Sequence, residues 1–419
     1  MGGTTAVTGN LRIARPMDRG RHHWAASAVV LVAFLIRYAA WLKLGGPIRG
    51  EDSRTYLAFA AAIARGDFTE MARLPFYVLY PLTLAPLYVL SLPESTYILW
   101  LHLVASTLTV FLIYRIGTEL VSQAAGLLAA AVAAVYPAFL FWLPYILTET
   151  LFLLCLAAYA DAYLRVLGRP RPATVAYYAA AFGLFIVSRP SATPCVVFSW
   201  TVMAACVATR RWGVVRGLAT VGAIATAVVV AAVVVVGLSA SLRDRLLSMP
   251  TIGQTLWAST QYSTGTLPEL QRIEQIDQEI HTRFRGQGAE RREYAYKVRE
   301  AGQFIARHPA RYLGMAGRKL VAFWYPWAFA DTWSLSHRAV DAVVSIALSI
   351  GFLLTLARQS IDRWRWAGLL SMAAAFALLS AFGQIDPDAR YRLPAELIVI
   401  VLASAGYASY WSTYRDRIS

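Results

Sequence analysis

Residues 48–68 read IRGEDSRTYLAFAAAIARGDF and follow the first long apolar run of the chain. Glu51 and Asp52 stand side by side at the exit of that run, and apolar residues at helical spacing follow them. Gly66 is expected to end this helix. Ionisable groups beside a membrane span are costly in free energy, so each pair of carboxylates there needs an explanation. The stretch therefore predicts a loop that carries either a helix cap or a functional site.

The composition indicates a membrane protein. Of the 419 residues, 58% are hydrophobic and only 15% are charged, and the mean hydropathy is +0.50. A soluble domain carries about 25% charged residues. Several windows of roughly 18–25 residues are almost free of charge, which is long enough to cross a ~30 Å hydrocarbon core as helix. The sequence predicts an all-α polytopic membrane protein.

The arginines suggest how the chain crosses the membrane. Arg residues concentrate in loops that lie inside if both termini are cytoplasmic, as the positive-inside rule requires. The ten predicted spans are 25–43, 98–115, 120–138, 145–165, 172–188, 191–209, 214–238, 338–357, 366–382 and 393–411. Two further apolar segments, 74–92 and 320–335, are rich in proline or aromatic residues and are interpreted as interfacial.

Three regions follow from this topology. Residues 1–238 form an N-terminal transmembrane module whose first outer loop is 44–97. Residues 239–337 form an outer cap that is mainly helical, with helices over 268–285 and 289–307. Residues 338–419 supply the C-terminal transmembrane helices. The run LRIARPMDRGRHH before the first span resembles a signal peptide, but no small-residue cleavage site follows, so we expect an uncleaved first span.

Several classes of function are not expected. The net charge is +15, but the arginines lie mainly in short loops, so nucleic-acid binding is not predicted. Cys155, Cys195 and Cys206 all lie in apolar runs and show neither metal-ligand spacing nor a disulfide framework. The chain also has no glycine-rich nucleotide-binding motif, no zinc-protease motif and no serine-hydrolase motif.

Two carboxylates are candidates for chemistry. Asp52 precedes a predicted helix, so it is either an N-cap or a functional group that a cap position holds rigidly. Glu149 lies near an end of the fourth predicted span with no basic residue within one turn, so it either bonds to a neighbour or acts on a substrate. Asp161 is explained by an ion pair with Arg165 one turn later.

Four cations are predicted to share the outer surface with these carboxylates: Arg189, Lys319, Arg390 and Arg392. Arginine suits bidentate binding of phosphate. The alternatives are contact with lipid headgroups and, for Arg392, an ion pair with Glu396. Asp386 and Asp388 form a D-x-D string, which is a weak candidate for a divalent cation site.

The ordered motifs resemble those of the GT-C membrane glycosyltransferases. The D-x-x-x-Y of Asp52 to Tyr56 and LPFYVLYPLTLAP resemble their first outer loop, and YPAFLFWLPYILTETLF resembles their second acidic loop. GLFIVSRPSA resembles a recurrent Arg-Pro turn. DARYRLPAELIVIVLASAGY resembles the penultimate-loop and last-span signature of bacterial glycosyltransferase family 39-like proteins, which include lipid A aminoarabinose transferases and are related to protein O-mannosyltransferases.

The resemblance implies a GT-C-like fold and an inverting transfer of a sugar from a polyprenyl phosphate, with undecaprenyl or decaprenyl as the lipid. Asp52, or Glu51 since the two acids stand in reversed order here, is implied as the base. Glu149 is implied to orient the acceptor, which is a lipid, glycan or protein. The phosphate would be held by Arg390 and Arg392, with Lys319 and Arg189 as further candidates. Tyr56, Tyr145 and Tyr391 are the aromatic candidates for substrate contact.

The implied location is the bacterial inner membrane, with the site facing outwards. There the donor must be lipid-linked, because nucleotide sugars are absent outside the cytoplasm. A divalent cation is an optional cofactor. The competing classes are a secondary transporter or flippase for a lipid-linked or anionic substrate, and a non-catalytic lipid-binding scaffold. A transporter is expected to line a path across the membrane with charges, whereas these charges gather at one predicted face.

Overall fold

The computed structural model describes residues 16–50, 52–68, 78–208, 250–261, 267–286, 288–324, 335–357, 362–383 and 389–418. Regular secondary structure in these ranges is entirely helical. The helices are α1 (Pro16–Leu44), α2 (Ser53–Ala64), α3 (Leu79–Val89), α4 (Glu94–Leu120), α5 (Gln123–Val135), α6 (Pro137–Phe141), α7 (Glu149–Gly168), α8 (Pro172–Ile186), α9 (Ala192–Ala208), α10 (Pro250–Ser259), α11 (Leu267–Arg283), α12 (Ala289–Arg307), α13 (Pro309–Trp324), α14 (Leu335–Leu356), α15 (Arg363–Gly383) and α16 (Ala389–Ile418).

The helices support the predicted multi-pass class. Five of them, α1, α4, α7, α15 and α16, contain stretches long and apolar enough to cross a membrane. Helices α5, α8, α9 and α14 are shorter or carry shorter apolar stretches, and they coincide with four other predicted spans. The predicted span 214–238 lies outside the described residues. Ten crossings and the orientation of the termini therefore stay predictions.

The bundle packs around α7 and α16, which are its most buried long helices. Helix α7 contacts α4 and α8, and α16 contacts α5, α14 and α15. Aromatic rings fill the centre: Phe152 and Tyr159 of α7 both stack on Phe185 of α8, with centroids 5.4 and 5.0 Å apart. This packing holds the start of α7 and the start of α16 in one bundle.

A buried arginine joins α1 to the end of α5. Arg37 is only 1% exposed and donates to the backbone oxygens of Ala133 and Ala134, each 3.1 Å away, as well as to Ser106 Oγ. The last carbonyls of a helix have no partner within the helix, so they are natural acceptors for a buried guanidinium. Arg37 was not predicted from the sequence as a buried partner, although a charge inside a predicted span is itself a signal.

Ion pairs also join the helices at the far end of α7. Asp161 is fully buried between Arg115, 2.8 Å away, and Arg165, 3.0 Å away. The predicted pair of Asp161 with Arg165 is present. Twelve residues of helix separate Asp161 from Glu149, which amounts to roughly 18 Å. This cluster is therefore remote from the candidate site.

The predicted cap contains the two helices expected from sequence, since α11 and α12 match 268–285 and 289–307. Trp257 of α10 is buried with apolar residues of both helices. Lys297 of α12 is 4% exposed, bonds to Asp277 and Glu293 at 2.6 Å each, and lies over the Trp257 ring. Lys297 thereby joins α12 to Asp277 of α11.

Candidate active site

The segment between α1 and α2 is bonded to the segment between α6 and α7. Ile48 and Tyr145 form a short parallel bridge, in which Ile48 N donates to Pro144 O at 2.8 Å and Ile146 N donates to Ile48 O at 2.9 Å. Gly46 allows this approach, because a Cβ there would lie 2.6 Å from Pro144 Cβ. These bonds place the start of α2 and the start of α7 on one face of the bundle, which is called the site face below.

Asp52 occupies the N-cap position of α2 without acting as its cap. Its side chain makes no capping hydrogen bond, and its backbone is helical at φ −74° and ψ −15°. The neighbouring Ser53 is buried and bonds the loop instead: its Oγ accepts from Gly50 N and donates to Ile146 O, both at 2.8 Å. The Asp52 side chain is 54% exposed. The structure therefore disfavours the cap interpretation and leaves the carboxylate accessible.

A stack of alternating guanidinium groups and aromatic rings runs inwards from Asp52. Arg390 Nη1 lies 3.7 Å from Asp52 Oδ2, and the Arg390 guanidinium lies 5.1 Å from the Tyr391 ring centroid. The same ring lies 5.6 Å from the Arg189 guanidinium, which in turn lies 5.5 Å from the ring of Phe152. Such contacts stabilise arginine side chains and fix their direction. We call this set the arginine–aromatic stack.

Glu149 is connected to the inner end of that stack. Its Oε1 accepts from Arg189 Nη1 at 2.9 Å, and both side chains are buried, at 4% and 8% exposure. Its Oε2 accepts no hydrogen bond from the described part of the chain. Glu149 is also the first residue of α7, where the helix dipole favours a negative charge. The structure thus pairs Arg189 with Glu149.

A buried histidine of α4, His102, bonds to α3 and to the segment between α6 and α7. Leu143 O can only accept, so His102 Nδ1, 2.8 Å away, carries the proton and His102 Nε2 accepts from Tyr80 Oη at 2.9 Å. The Tyr80 ring meets Tyr56 edge-on at 5.5 Å. Tyr56 lies one turn after Asp52 and is 6% exposed. Neither His102 nor Tyr80 was predicted from the sequence, although a histidine in an apolar helix is itself a signal.

The other predicted site residues that the structure describes contact groups of the protein outside the arginine–aromatic stack. Arg392 and Glu396 form the anticipated ion pair, and both are buried. Lys319 is buried and its Nζ donates to Ser259 O at 2.6 Å. Tyr145 is half-buried, with its ring 5.0 Å from that of Trp142. Predicted residues that lie outside the described part of the chain are Glu51, Asp386 and Asp388.

No metal centre is formed by the described side chains. Within residues 16–418, apart from the gaps given above, no three His, Cys, Asp or Glu side chains converge. The near neighbour of Asp52 is a guanidinium, which already supplies a positive charge. A divalent cation therefore stays an expectation that rests on Asp386 and Asp388.

Solved structures with similar architecture identify the type of fold. The archaeal oligosaccharyltransferase AglB from Archaeoglobus fulgidus, in complex with an inhibitory peptide and a dolichol-phosphate, superposes with a TM-score of 0.55 at 13% identity over 96% of this chain. The fold is of the GT-C type. A second Archaeoglobus fulgidus oligosaccharyltransferase structure, a complex with Zn and sulfate, gives a TM-score of 0.52 at 14% identity over 93% of this chain.

Both neighbours support the GT-C type of fold that was predicted from sequence. This chain spans only about half of either neighbour, 52% and 50% of their lengths. No protein-family profile matches the sequence, and no curated protein matches it. The narrower resemblance to glycosyltransferase family 39-like proteins therefore stays a prediction.

Proposed function

We propose that this protein is a membrane glycosyltransferase that moves a sugar from a polyprenyl phosphate to an acceptor by an inverting mechanism. The observation that carries the proposal is the 3.7 Å approach of Arg390 to Asp52 on the site face of a GT-C fold. The pair joins a base and a phosphate-binding group, which are the two functions that such a transfer needs. The sequence separates these residues by most of the chain.

Asp52 is the proposed general base. In the transfer, an acceptor oxygen or nitrogen forms a bond to the anomeric carbon while its proton passes to the Asp52 carboxylate. The bond between the anomeric carbon and the phosphate oxygen breaks, and its electron pair leaves with the polyprenyl phosphate. Arg390 stabilises the charge that develops on that phosphate. The half-exposed Asp52 and the partly exposed Arg390 can both be reached by a substrate.

The buried partners hold this geometry. Tyr391 positions Arg390, because it accepts a hydrogen bond from Arg390 Nη2 at 3.3 Å and its ring faces the guanidinium. Arg189 also contacts the Tyr391 ring, and it forms an ion pair with Glu149. Because Arg189, Arg392 and Lys319 are buried whereas Arg390 is partly exposed, we assign the first phosphate contact to Arg390.

The lipid-linked donor is supported by three features. The chain is strongly apolar, the site face carries cations, and one neighbour of the same fold is in complex with a dolichol-phosphate and a peptide. Purified protein in lipid nanodiscs should transfer label from a radiolabelled polyprenyl-phosphate sugar to an acceptor fraction. In sealed proteoliposomes, movement of an intact substrate across the membrane without transfer would favour the transporter alternative.

Replacing Arg390 by alanine should weaken both donor binding and turnover. Losing a charge-assisted contact costs about 1.5–3 kcal/mol, or roughly 10- to 150-fold. We expect a higher donor KM and a lower kcat, because the contact strengthens as phosphate leaves. The matched control is Arg49→Ala, which removes an exposed arginine bonded to Glu94 at 2.9 Å. Parental donor kinetics in the Arg390 variant would remove this residue from the site.

The proposed orientation places the site face outside the cell, and thiol labelling tests it. The three native cysteines are buried, so the parent protein should resist an impermeant thiol reagent. Cysteines introduced at the exposed positions Arg65 and Arg285 should react in intact cells, and one at Arg169 should not. Labelling at position 169 alone would reverse the orientation, and labelling at all three positions would contradict the predicted topology.

A further inference from the structure

Helix α13 has three distinct stripes along its surface. A helix turns about 100° per residue, so residues three, four and seven apart share a face. One stripe is buried: Tyr312, Met315, Ala316, Lys319 and Phe323. The second is apolar and exposed, with Leu313 at 60%, Val321 at 69% and Trp324 at 41%. The third is basic and exposed: Arg311 and Arg318, seven residues apart.

Contacts through the buried stripe fix the orientation of α13. Tyr312 Oη donates to Phe382 O at 2.8 Å, near the end of α15, and Lys319 Nζ donates to Ser259 O at the end of α10. Phe323 belongs to the main buried core of the bundle. Because these contacts prevent rotation of the helix, its apolar stripe must face outwards beside the apolar exterior of the bundle.

The exposed stripes have the chemistry of a membrane surface. Three large apolar side chains exposed along one helix indicate a surface covered by another apolar phase. Arg311 and Arg318 have no carboxylate within 4 Å in the described ranges, and α13 itself contains no acidic residue. The Arg311 guanidinium lies 5.7 Å from the centroid of the Phe304 ring, which is an aromatic contact and not an ion pair. An apolar stripe flanked by arginines is typical of helices that lie at anionic membranes.

We propose that α13 lies in the membrane interface and binds anionic phospholipids. Leu313, Val321 and Trp324 would contact acyl chains, and Arg311 and Arg318 would bind headgroup phosphates, for which the guanidinium geometry is suited. The inference is independent of the proposed glycosyl transfer, because it requires neither a sugar nor a lipid-linked donor. Through the bond of Lys319 to Ser259, the same helix would attach α10 to the membrane surface.

Lipid binding by the full chain tests the basic stripe. Native mass spectrometry of the detergent-purified protein should show that phosphatidylglycerol is retained more than phosphatidylcholine. The double variant R311Q/R318Q should bind phosphatidylglycerol roughly 5- to 30-fold more weakly, as expected for one or two cations at an anionic surface. The matched control R272Q/R299Q removes two exposed arginines from α11 and α12 and should bind like the parent. An equal loss of phosphatidylglycerol binding in both double variants, or no loss in R311Q/R318Q, would overturn the proposal.

A depth measurement tests the apolar stripe even if the double variant misfolds. A nitroxide on a cysteine at Val321, in vesicles of phosphatidylcholine and phosphatidylglycerol, should be relaxed more by oxygen than by an aqueous nickel chelate. A label at Arg272 should show the reverse. Relaxation of the Val321 label mainly by nickel would contradict the proposal. Spin–spin broadening that disappears on dilution with unlabelled protein would also contradict it, by showing that a second copy covers the stripe.

Discussion

The Asp52→Asn variant should fold like the parent, bind the donor and lose at least about 100-fold in transfer rate. General-base catalysis is typically worth ~10²–10⁴-fold, and an amide cannot accept the proton. Folding should survive because the Asp52 side chain is 54% exposed and makes no capping hydrogen bond. Asparagine also caps helices about as well as aspartate. The measurement is single-turnover transfer from a radiolabelled polyprenyl-phosphate sugar in nanodiscs.

Two carboxylate variants control this result. Glu94→Gln removes an exposed carboxylate that bonds to Arg49, so it should keep parental activity. Glu51→Gln should lose much less of the transfer rate than Asp52→Asn, because it is Asp52 that stands four residues before Tyr56 in the D-x-x-x-Y motif. If Glu51→Gln is inactive and Asp52→Asn active, the two acids exchange roles. If both variants keep full activity, the proposed chemistry at this loop is wrong.

Removing Arg189 should be the most destabilising single change at the site. Arg189→Met would leave the buried Glu149 carboxylate without its 2.9 Å partner. Breaking one side of a buried ion pair costs about 3–5 kcal/mol. It would also remove the contacts of Arg189 with the rings of Phe152 and Tyr391. Equilibrium unfolding in mixed detergent micelles should show this loss as a lower free energy of unfolding.

A double variant separates the charge effect from packing. Glu149→Gln combined with Arg189→Met removes both charges, so it should recover most of the stability lost in the single variant. The exposed pair Arg49–Glu94 is the control, and Arg49→Met should cost no more than about 1 kcal/mol. Strictly additive losses at Glu149 and Arg189 would show that the pair is not coupled. Activity of the stable double variant then reports whether the pair itself is needed for transfer.

The positions of Arg390 and Arg189 show why the site was predicted only in part. Both were recognised as candidate phosphate ligands on one surface, since arginine between apolar spans requires an explanation. Their partners were not predictable, because Arg189 meets Glu149 from the loop between α8 and α9, and Arg390 meets Asp52 from the far end of the chain. Pairing across such sequence distances depends on how helices pack. Arg392, by contrast, was paired correctly with Glu396, because the two are one turn apart.

The sequence by itself determined the helical membrane class, nine of the predicted spans as helices, and the helices of the cap, because apolar length and helical periodicity are local properties. It also indicated that Asp52, Glu149 and the arginines, as ionisable groups beside apolar spans, need an ion-pair partner or a substrate. Only the tertiary structure decided which groups are paired. It showed that Ser53 and not Asp52 bonds the loop, and that Arg189 neutralises Glu149. The physical reason is that the role of a carboxylate in an apolar bundle depends on which hydrogen-bond donor lies nearest to it. Helix packing brings that donor close, and the donor can come from a distant part of the sequence.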